Sequence, residues 1–478
     1  MFKKCKWAFI SAGLLSLSNL YSEIDINGSV SQSYVKSVDE GFFPNTFQGV
    51  SKGSFDFTEV LLGAGADVTD NLRVGAQLIS RNFGEQGDYN TSLDWGYGDY
   101  QFNEKIGIRI GRVKNPSGLY GESRDIDSAR TSILLDQAIY DETFRSFTVA
   151  YNGAGLYGTL EDENGTFGSL DYELHYGTLE IPDDFFFSTL LNSYRGGSGK
   201  GLESEDLIGG QIFWNTPLEG LRIGYTVSRF NSHTDLLRDP TNFLNTGGEV
   251  SEAYSLNADT DILSIEYTWE DWVFFGETSK FKLASDIKYA ELGLVDDLIN
   301  KLTQLSQAAG VLTGLQSAQA TLADPNSSVT QITEAQQTLA TLAPQAAAAT
   351  TTLATLQAEL TAAGLAFNGS SPANDRTSLN LNLAGLNNET NNEIRSWYLG
   401  LGYIFTDQLQ GTLRYSQSDS LLGIEKQIMT LSLRYDVNES WVTKAEYHGV
   451  KTDTTNTTTN VTTTDNNGAL LLRASYSF

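Results

Sequence analysis

Residues 153–158 read "GAGLYG", the glycine spacing with which a strand-to-helix turn cradles a dinucleotide pyrophosphate. That chemistry requires a helix after the glycines, whose N-terminus meets the phosphate. Here "TLEDENG" follows, a strand end and a turn, so the motif is read as strand glycines that permit bending or close packing. "GGSGKG" at 196–201 lacks both the spacing and the Ser or Thr of a phosphate-cradling loop. Beyond residue 22 the chain has three histidines, His175, His233 and His448, too far apart in sequence for a local metal motif. Glu446 and His448 share one strand parity, but a hydrolase would also need a nucleophile beside them. They are read as an exposed polar pair. No catalytic residue, cofactor site or metal site is assigned.

The segments that would position such residues alternate. "LRVGAQLISR" sets Leu72, Val74, Ala76 and Leu78 against Arg73, Gly75, Gln77 and Arg81. "IGIRIG" sets Ile106, Ile108 and Ile110 against Arg109, and "MTLSLRYD" sets Met429, Leu431, Leu433 and Tyr435 against Thr430, Ser432 and Arg434. Successive strand side chains point to opposite faces, so each segment has one apolar and one polar face. Arg112 breaks the pattern and marks a bulge or a strand end. A membrane β-barrel hides its lipid face in every second residue and needs no long apolar run. The chain has none beyond residue 22.

Residues 1–22 have a basic start (Lys3, Lys4, Lys6), an apolar run from Trp7 to Leu20 and small Ser22, the layout of a secretory signal peptide. Its removal takes away the only cysteine, Cys5, and with it any disulfide framework. Three lysines and no acids are lost with it, so the formal charge goes from −28 to −31. Such acidity argues against nucleic acid as a partner.

Seven tight turns punctuate the chain ("VTDNL", "FNEKI", "LEDENG", "TPLEG", "WEDW", "FTDQL" and "VNES"), separated by long polar loops. Seven hairpins are fourteen strands; a first strand near 23–36 and a last at 468–478 make about sixteen, an even number suited to closure. Aromatic residues gather near the short turns, as at one membrane interface. The fold class is an all-β transmembrane barrel of about sixteen antiparallel strands with an inserted α-helical hairpin. Residues 23–285 form its first part, with about eleven strands, and 394–478 the last, with about five. Between them, 286–366 follow helical spacing (Val295, Leu298, Leu302, Leu305, Ala309 and Leu312, then Leu339, Leu342, Ala346, Ala349, Leu353, Leu356 and Leu360), and 367–393 return as a polar loop. Pro325 marks the break between two arms of roughly 50 Å, and Pro344 is expected to kink the second. No charge lies between Lys301 and Asp324, which suggests contact with a partner or the channel mouth; a surface spacer rich in Ala and Thr is the other reading.

Terminal Phe478 resembles the C-terminal signature of outer-membrane barrels, and 93–130 resembles the strand–turn–strand that precedes the third loop of Gram-negative porins. The resemblance implies a loop at about 115–146 that folds inward and narrows the channel. It implies acids Glu122, Asp125, Asp127, Asp136, Asp141 and Glu142, with Arg124, Arg130 and Arg145 among them, set against wall arginines Arg73, Arg81 and Arg109. It also implies a homotrimer in the outer membrane, surrounded by lipid and lipopolysaccharide and inserted by the barrel-assembly machinery. The function that follows is passive diffusion of ions and small hydrophilic solutes. Lumen-facing Asp25, Glu59, Asp171, Glu173, Glu277 and Glu446 tilt the expectation toward cations. A barrel that mainly displays its hairpin for adhesion or assembly is the second reading, and an outer-membrane enzyme the third.

Overall fold

The computed structural model describes residues 24–37, 50–84, 87–162, 165–181, 203–238, 250–289, 292–362, 390–419, 424–456 and 461–478. The proposed signal segment lies outside the described residues. The strands are β1 (Ile24–Ser37), β2 (Ser54–Thr69), β3 (Leu72–Phe83), β4 (Thr91–Asn103), β5 (Ile106–Lys114), β6 (Ala150–Glu161), β7 (Ser169–Thr178) and β8 (Glu203–Asn215). They continue as β9 (Leu221–Arg238), β10 (Val250–Trp269), β11 (Trp272–Tyr289), β12 (Thr390–Ile404), β13 (Leu409–Asp419), β14 (Ile424–Asp436), β15 (Trp441–Asn456) and β16 (Val461–Ser477). Each pairs antiparallel with its neighbours in the chain, and β16 pairs with β1, closing the barrel.

Closure is made at the rim of tight turns. Gly28 and Phe478 exchange two backbone hydrogen bonds of 3.0 Å. The Phe478 ring lies over Gly28, where a Cβ would stand 2.7 Å from the ring's Cζ, so position 28 has no room for a side chain. Tyr476 stacks on Phe478 at 6.2 Å and Trp441 packs on Tyr476 at 5.0 Å, an aromatic band at this rim.

Parity decides which residues face out. On β16, Leu470, Leu472, Tyr476 and Phe478 are exposed, while Leu471, Arg473 and Ser475 are buried within the barrel. Ile24, Ile26, Val30, Leu62, Val74, Leu78, Leu263, Ile265, Leu399, Met429, Leu431 and Leu433 extend the exposed apolar face around the circumference. From Leu470 to Phe478 this face covers roughly 30 Å of strand, or on the order of 20 Å of bilayer at the usual tilt. Water would not tolerate a belt of this extent; lipid would cover it.

Several strands run past the belt. β10 has 20 residues, where about ten suffice to cross. Beyond the apolar rows the outward positions turn charged: Arg229 pairs with Asp259 at 3.8 Å, and Lys280 and Arg395 each meet Glu393 at 2.8 Å. Strands also replace loops at two places where the sequence reading expected long connections. β13 and β14 are separated only by 420–423, and β15 and β16 only by 457–460.

β11 continues to Tyr289 and β12 begins at Thr390, so the ladder takes four residues from each expected boundary of the insert. Between them stand helices Leu292–Ala323, Val329–Leu342 and Ala346–Ala362. Ser328 caps the second, its side chain accepting from Gln331 N while the Gln331 side chain reaches back to the cap. Pro344 lies in a 3-10 turn, Ala343–Gln345, that divides the returning arm. The seam differs in part from the expected spacing, because small residues let the arms approach: Leu305, Ala308, Leu315 and Ala318 bury against an arm whose buried residues are Ala335, Ala349 and Leu356.

Two outcomes are expected. Deleting Phe478 removes both closing hydrogen bonds and the ring over Gly28, and should lower the temperature at which the detergent-solubilised barrel unfolds by 10 °C or more on a heat-shift gel, whereas Ser477→Ala should shift it little. Equal shifts would contradict closure at this pair. Replacing 290–365 with a short Gly/Ser linker should leave an inserted barrel, because loop length adds only about 0.6 kcal/mol of closure cost per doubling; an unfolded product would show that the arms are needed for the ladder.

Candidate functional site

The inward loop begins where the alternation breaks. Asp94 is the extra residue of a bulge in β4, opposite the step from Gln77 to Leu78. Next to it on β5, Gly111 has φ +139°, a conformation that side chains rarely adopt. The two irregularities turn Asp94 and Lys114 toward the lumen although Arg109, five residues earlier, also points there. This accounts for the misfit at Arg112: its strand continues unbroken, and its guanidinium reaches Asp94 O at 3.1 Å and Glu180 at 3.1 Å.

Residues 115–149 then cross the lumen and touch the wall in every quarter. Gly118 is held by Thr226 of β9 and Gln211 of β8. Glu277 of β11 receives Leu119 N at 2.8 Å and three hydroxyls, from Tyr140, Tyr398 and Ser264, each at 2.6 Å. On the far side Glu446 of β15 receives Ile133 N at 2.8 Å and Leu134 N at 3.2 Å, with Ser432 and His448 beside it. Apolar packing follows the same two anchors. Ile133 and Leu134 bury with Val35, Phe57, Phe83, Val450 and Leu471, and Leu135 and Tyr140 bury with Phe275 and Tyr398. The barrel interior is thus packed around its loop rather than left wide.

The charges named from the sequence meet directly. Asp127 is bound by Arg473 at 2.9 Å, Lys444 at 3.0 Å and Arg130 at 3.7 Å, and accepts from Ser475. Asp136 pairs with Arg414 at 2.9 Å, Asp125 with Lys114 at 2.8 Å, and Glu122 with Arg109 at 2.9 Å. Arg81 takes Glu142 at 2.9 Å. Where the resemblance set loop acids across an open neck from wall arginines, the structure joins them in contact; Asp125, Asp127 and Asp136 are buried. Arg73 stands apart, paired with Asp25 and Asp67 near the turn rim. Of the six lumen acids, Glu59, Glu173, Glu277 and Glu446 are buried, and only Asp25 and Asp171 face open solvent appreciably.

Burial opposes ionisation of these loop acids, and their partners decide the balance. Lys444, Arg473 and Arg130 outweigh burial at Asp127 and hold its carboxyl far below the usual range. At Glu142, Arg124, Arg81 and Arg145 outweigh burial and bring it down to about 2. At Asp136 burial wins and pushes the carboxyl up, against Arg414.

Lys444, Arg473, Arg414 and Lys114 are not among the residues that the sequence singles out for the constriction. Their inward parity was readable for Lys444 and Arg473, but nothing local told which wall cations the loop would reach. His448 and Glu446 are not the exposed pair expected. Thr430 Oγ1 lies 3.1 Å from His448 Nδ1, and His448 Nε2 lies 2.6 Å from Glu446, an order of groups that resembles a hydrolase triad. All three are buried under the loop, and Glu446 is occupied by loop amides, so no substrate reaches the hydroxyl. "GAGLYG" lies within β6.

No family model and no curated protein matches the chain. Among solved structures it is similar to an anion-selective porin from Comamonas acidovorans, at 9% identity over 96% of this chain and 100% of that one, with a TM-score of 0.47. It is similar also to the outer membrane channel DcaP of Acinetobacter baumannii, at 11% identity over 96% and 97%, TM-score 0.46. A third is Salmonella typhi OmpF, in complex with daunomycin, at 12% identity over 95% and 97%, TM-score 0.47. The sixteen-stranded closure described above rests on the strand ladder itself.

A depressed carboxyl stabilises the folded state above its unfolded value, near 4.5 for Glu142, and the gain is lost as pH falls toward about 2. The shift corresponds to roughly 3 kcal/mol at neutral pH. Glu142→Gln should therefore unfold several degrees below the parent at pH 7 in a detergent melt, and the gap should narrow steadily between pH 4.5 and 2.5. A gap independent of pH would show that the Arg81–Glu142–Arg124 contact is not an ionic one.

Proposed function

We propose that the chain is a passive outer-membrane channel whose inward loop sets a narrow, weakly cation-preferring neck. The observation that carries this is a loop held across the lumen from all quarters, whose exposed residues between 121 and 130 are Glu122, Ile126, Ser128 and Ala129, with Glu122 the one acid among them. The turn-rim vestibule holds Asp25, Asp67 and Asp171, against Arg73 and Arg222. An excess of acids over bases in a low-dielectric tube attracts counter-ions, so small cations and neutral hydrophilic solutes are the proposed cargo.

The apolar belt supports a bilayer location, and the leader-like residues 1–22 support export. Lipid and lipopolysaccharide around the belt, the barrel-assembly machinery and a homotrimer belong to this proposal. Nothing in the self-packed arms favours display over conduction.

In planar bilayers under a potassium chloride gradient, the reversal potential should show modest cation preference. The preference should weaken above about 1 M salt, where the screening length falls to roughly 3 Å. Anion preference would mean that the vestibule arginines dominate the field, and a sealed barrel would overturn the channel reading.

A further inference from the structure

Three buried polar groups on one sector of the wall remain without hydrogen-bond partners. Glu173 Oε1, Tyr151 Oη and both ring nitrogens of His175 are each unpartnered, in side chains more than nine-tenths buried. Leaving such groups unpaired in a buried place is unfavourable. The ladder places them together. Arg109, Gly155, His175 and Gly209 are register partners across β5 to β8, and Gly107, Tyr157, Glu173 and Gln211 form the adjacent row.

The glycines make the recess. A Cβ at Gly155 would stand 2.6 Å from Tyr151 Oη and 3.6 Å from Glu173 Oε1, so the hydroxyl and the carboxylate flank one point. The Tyr157 ring occupies the place that a side chain at Gly107 would take, lying flat against the wall. Tyr151 and His175 pack ring to ring at 5.2 Å.

The charge balance in this recess is negative. Arg109 is the single cation among Asp99 at 3.2 Å, Glu122 at 2.9 Å and Glu173 at 3.5 Å. Its guanidinium also lies over the Tyr157 ring at 4.3 Å and the Tyr97 ring at 5.7 Å. Three carboxylates share this one guanidinium. Glu122, on the loop, is more than half exposed and pairs with the same Arg109.

From these observations we infer that the β5–β8 wall holds a subsite for a primary alkylammonium group, with Glu173 and Tyr151 as its acceptors. An ammonium brings three donors to orphaned acceptors and a positive charge to a recess lined by carboxylates. A neutral sugar would supply hydroxyls but no charge, and an anion would meet three carboxylates. The inference deepens the channel reading by naming a solute class, and it rests on that reading only for access from the lumen.

The test is calorimetric titration of the full-length, detergent-solubilised barrel with n-butylammonium, with tetramethylammonium as a control of equal charge and no N–H donor. Binding of n-butylammonium should be at least tenfold tighter than that of tetramethylammonium. It should weaken at least tenfold in Glu173→Gln and in Tyr151→Phe, each confirmed as folded by its heat shift. Equal affinity for the two cations, unchanged affinity in both variants, or tighter binding of glucose would overturn the subsite. Because calorimetry needs no current, a barrel that binds n-butylammonium but conducts no potassium chloride would refute the channel and leave the subsite standing.

Discussion

Everything in this molecule follows from the requirement that a sheet crossing lipid leave no backbone N–H or C=O without a partner. The bilayer offers no replacement hydrogen bonds, so the ladder has to close. The pairing of Gly28 with Phe478, and of β1 with β16 above them, satisfies that requirement. Closure then fixes side-chain parity in all sixteen strands, since a one-residue slip would turn every lipid-facing residue inward. It also creates an enclosed interior, where polar groups must find one another.

The interior meets that demand with the loop. Loop backbone amides are received by two wall carboxylates, Glu277 and Glu446, and loop carboxylates by wall cations such as Arg414, Lys444 and Arg473. Buried ion pairs add little net stability once desolvation is counted, but removing one partner is severe. Their effect here is positional. Each pair fits only one placement of the loop against the wall, and the apolar contacts of Ile133, Leu134 and Tyr140 fill what lies between. On the proposed channel reading, a loop fixed in this way would set the passage by its shape.

The barrel was readable because its signals are local. A period of two in "MTLSLRYD" and two-residue turns such as Asp70–Asn71 depend only on neighbours in the chain, and they specified strand number and facing. The interior was less readable, since its contacts join residues far apart: Asp127 with Arg473, Ile133 with Glu446, Leu119 with Glu277. The acids of 115–146 stood out by type, but their partners depend on how far around the wall the loop reaches. Arg73 shares the parity of Arg81 and yet sits near the turn rim, because parity gives the face and not the height. The helical seam was legible only in part: Leu305, Ala349 and Leu356 bury as their spacing suggests, but Ala308, Ala318 and Ala335 bury as well, because small side chains let helices come close.

The central claim is that the docked loop, and not the barrel alone, governs what passes. It is tested most directly by single-channel conductance of a Glu277→Leu, Glu446→Leu double variant, in which both wall carboxylates that receive loop amides are gone. The ladder does not use either side chain, so the barrel should insert and fold, while conductance rises several-fold as the loop leaves the lumen. An intact barrel with the parent's conductance would contradict the account.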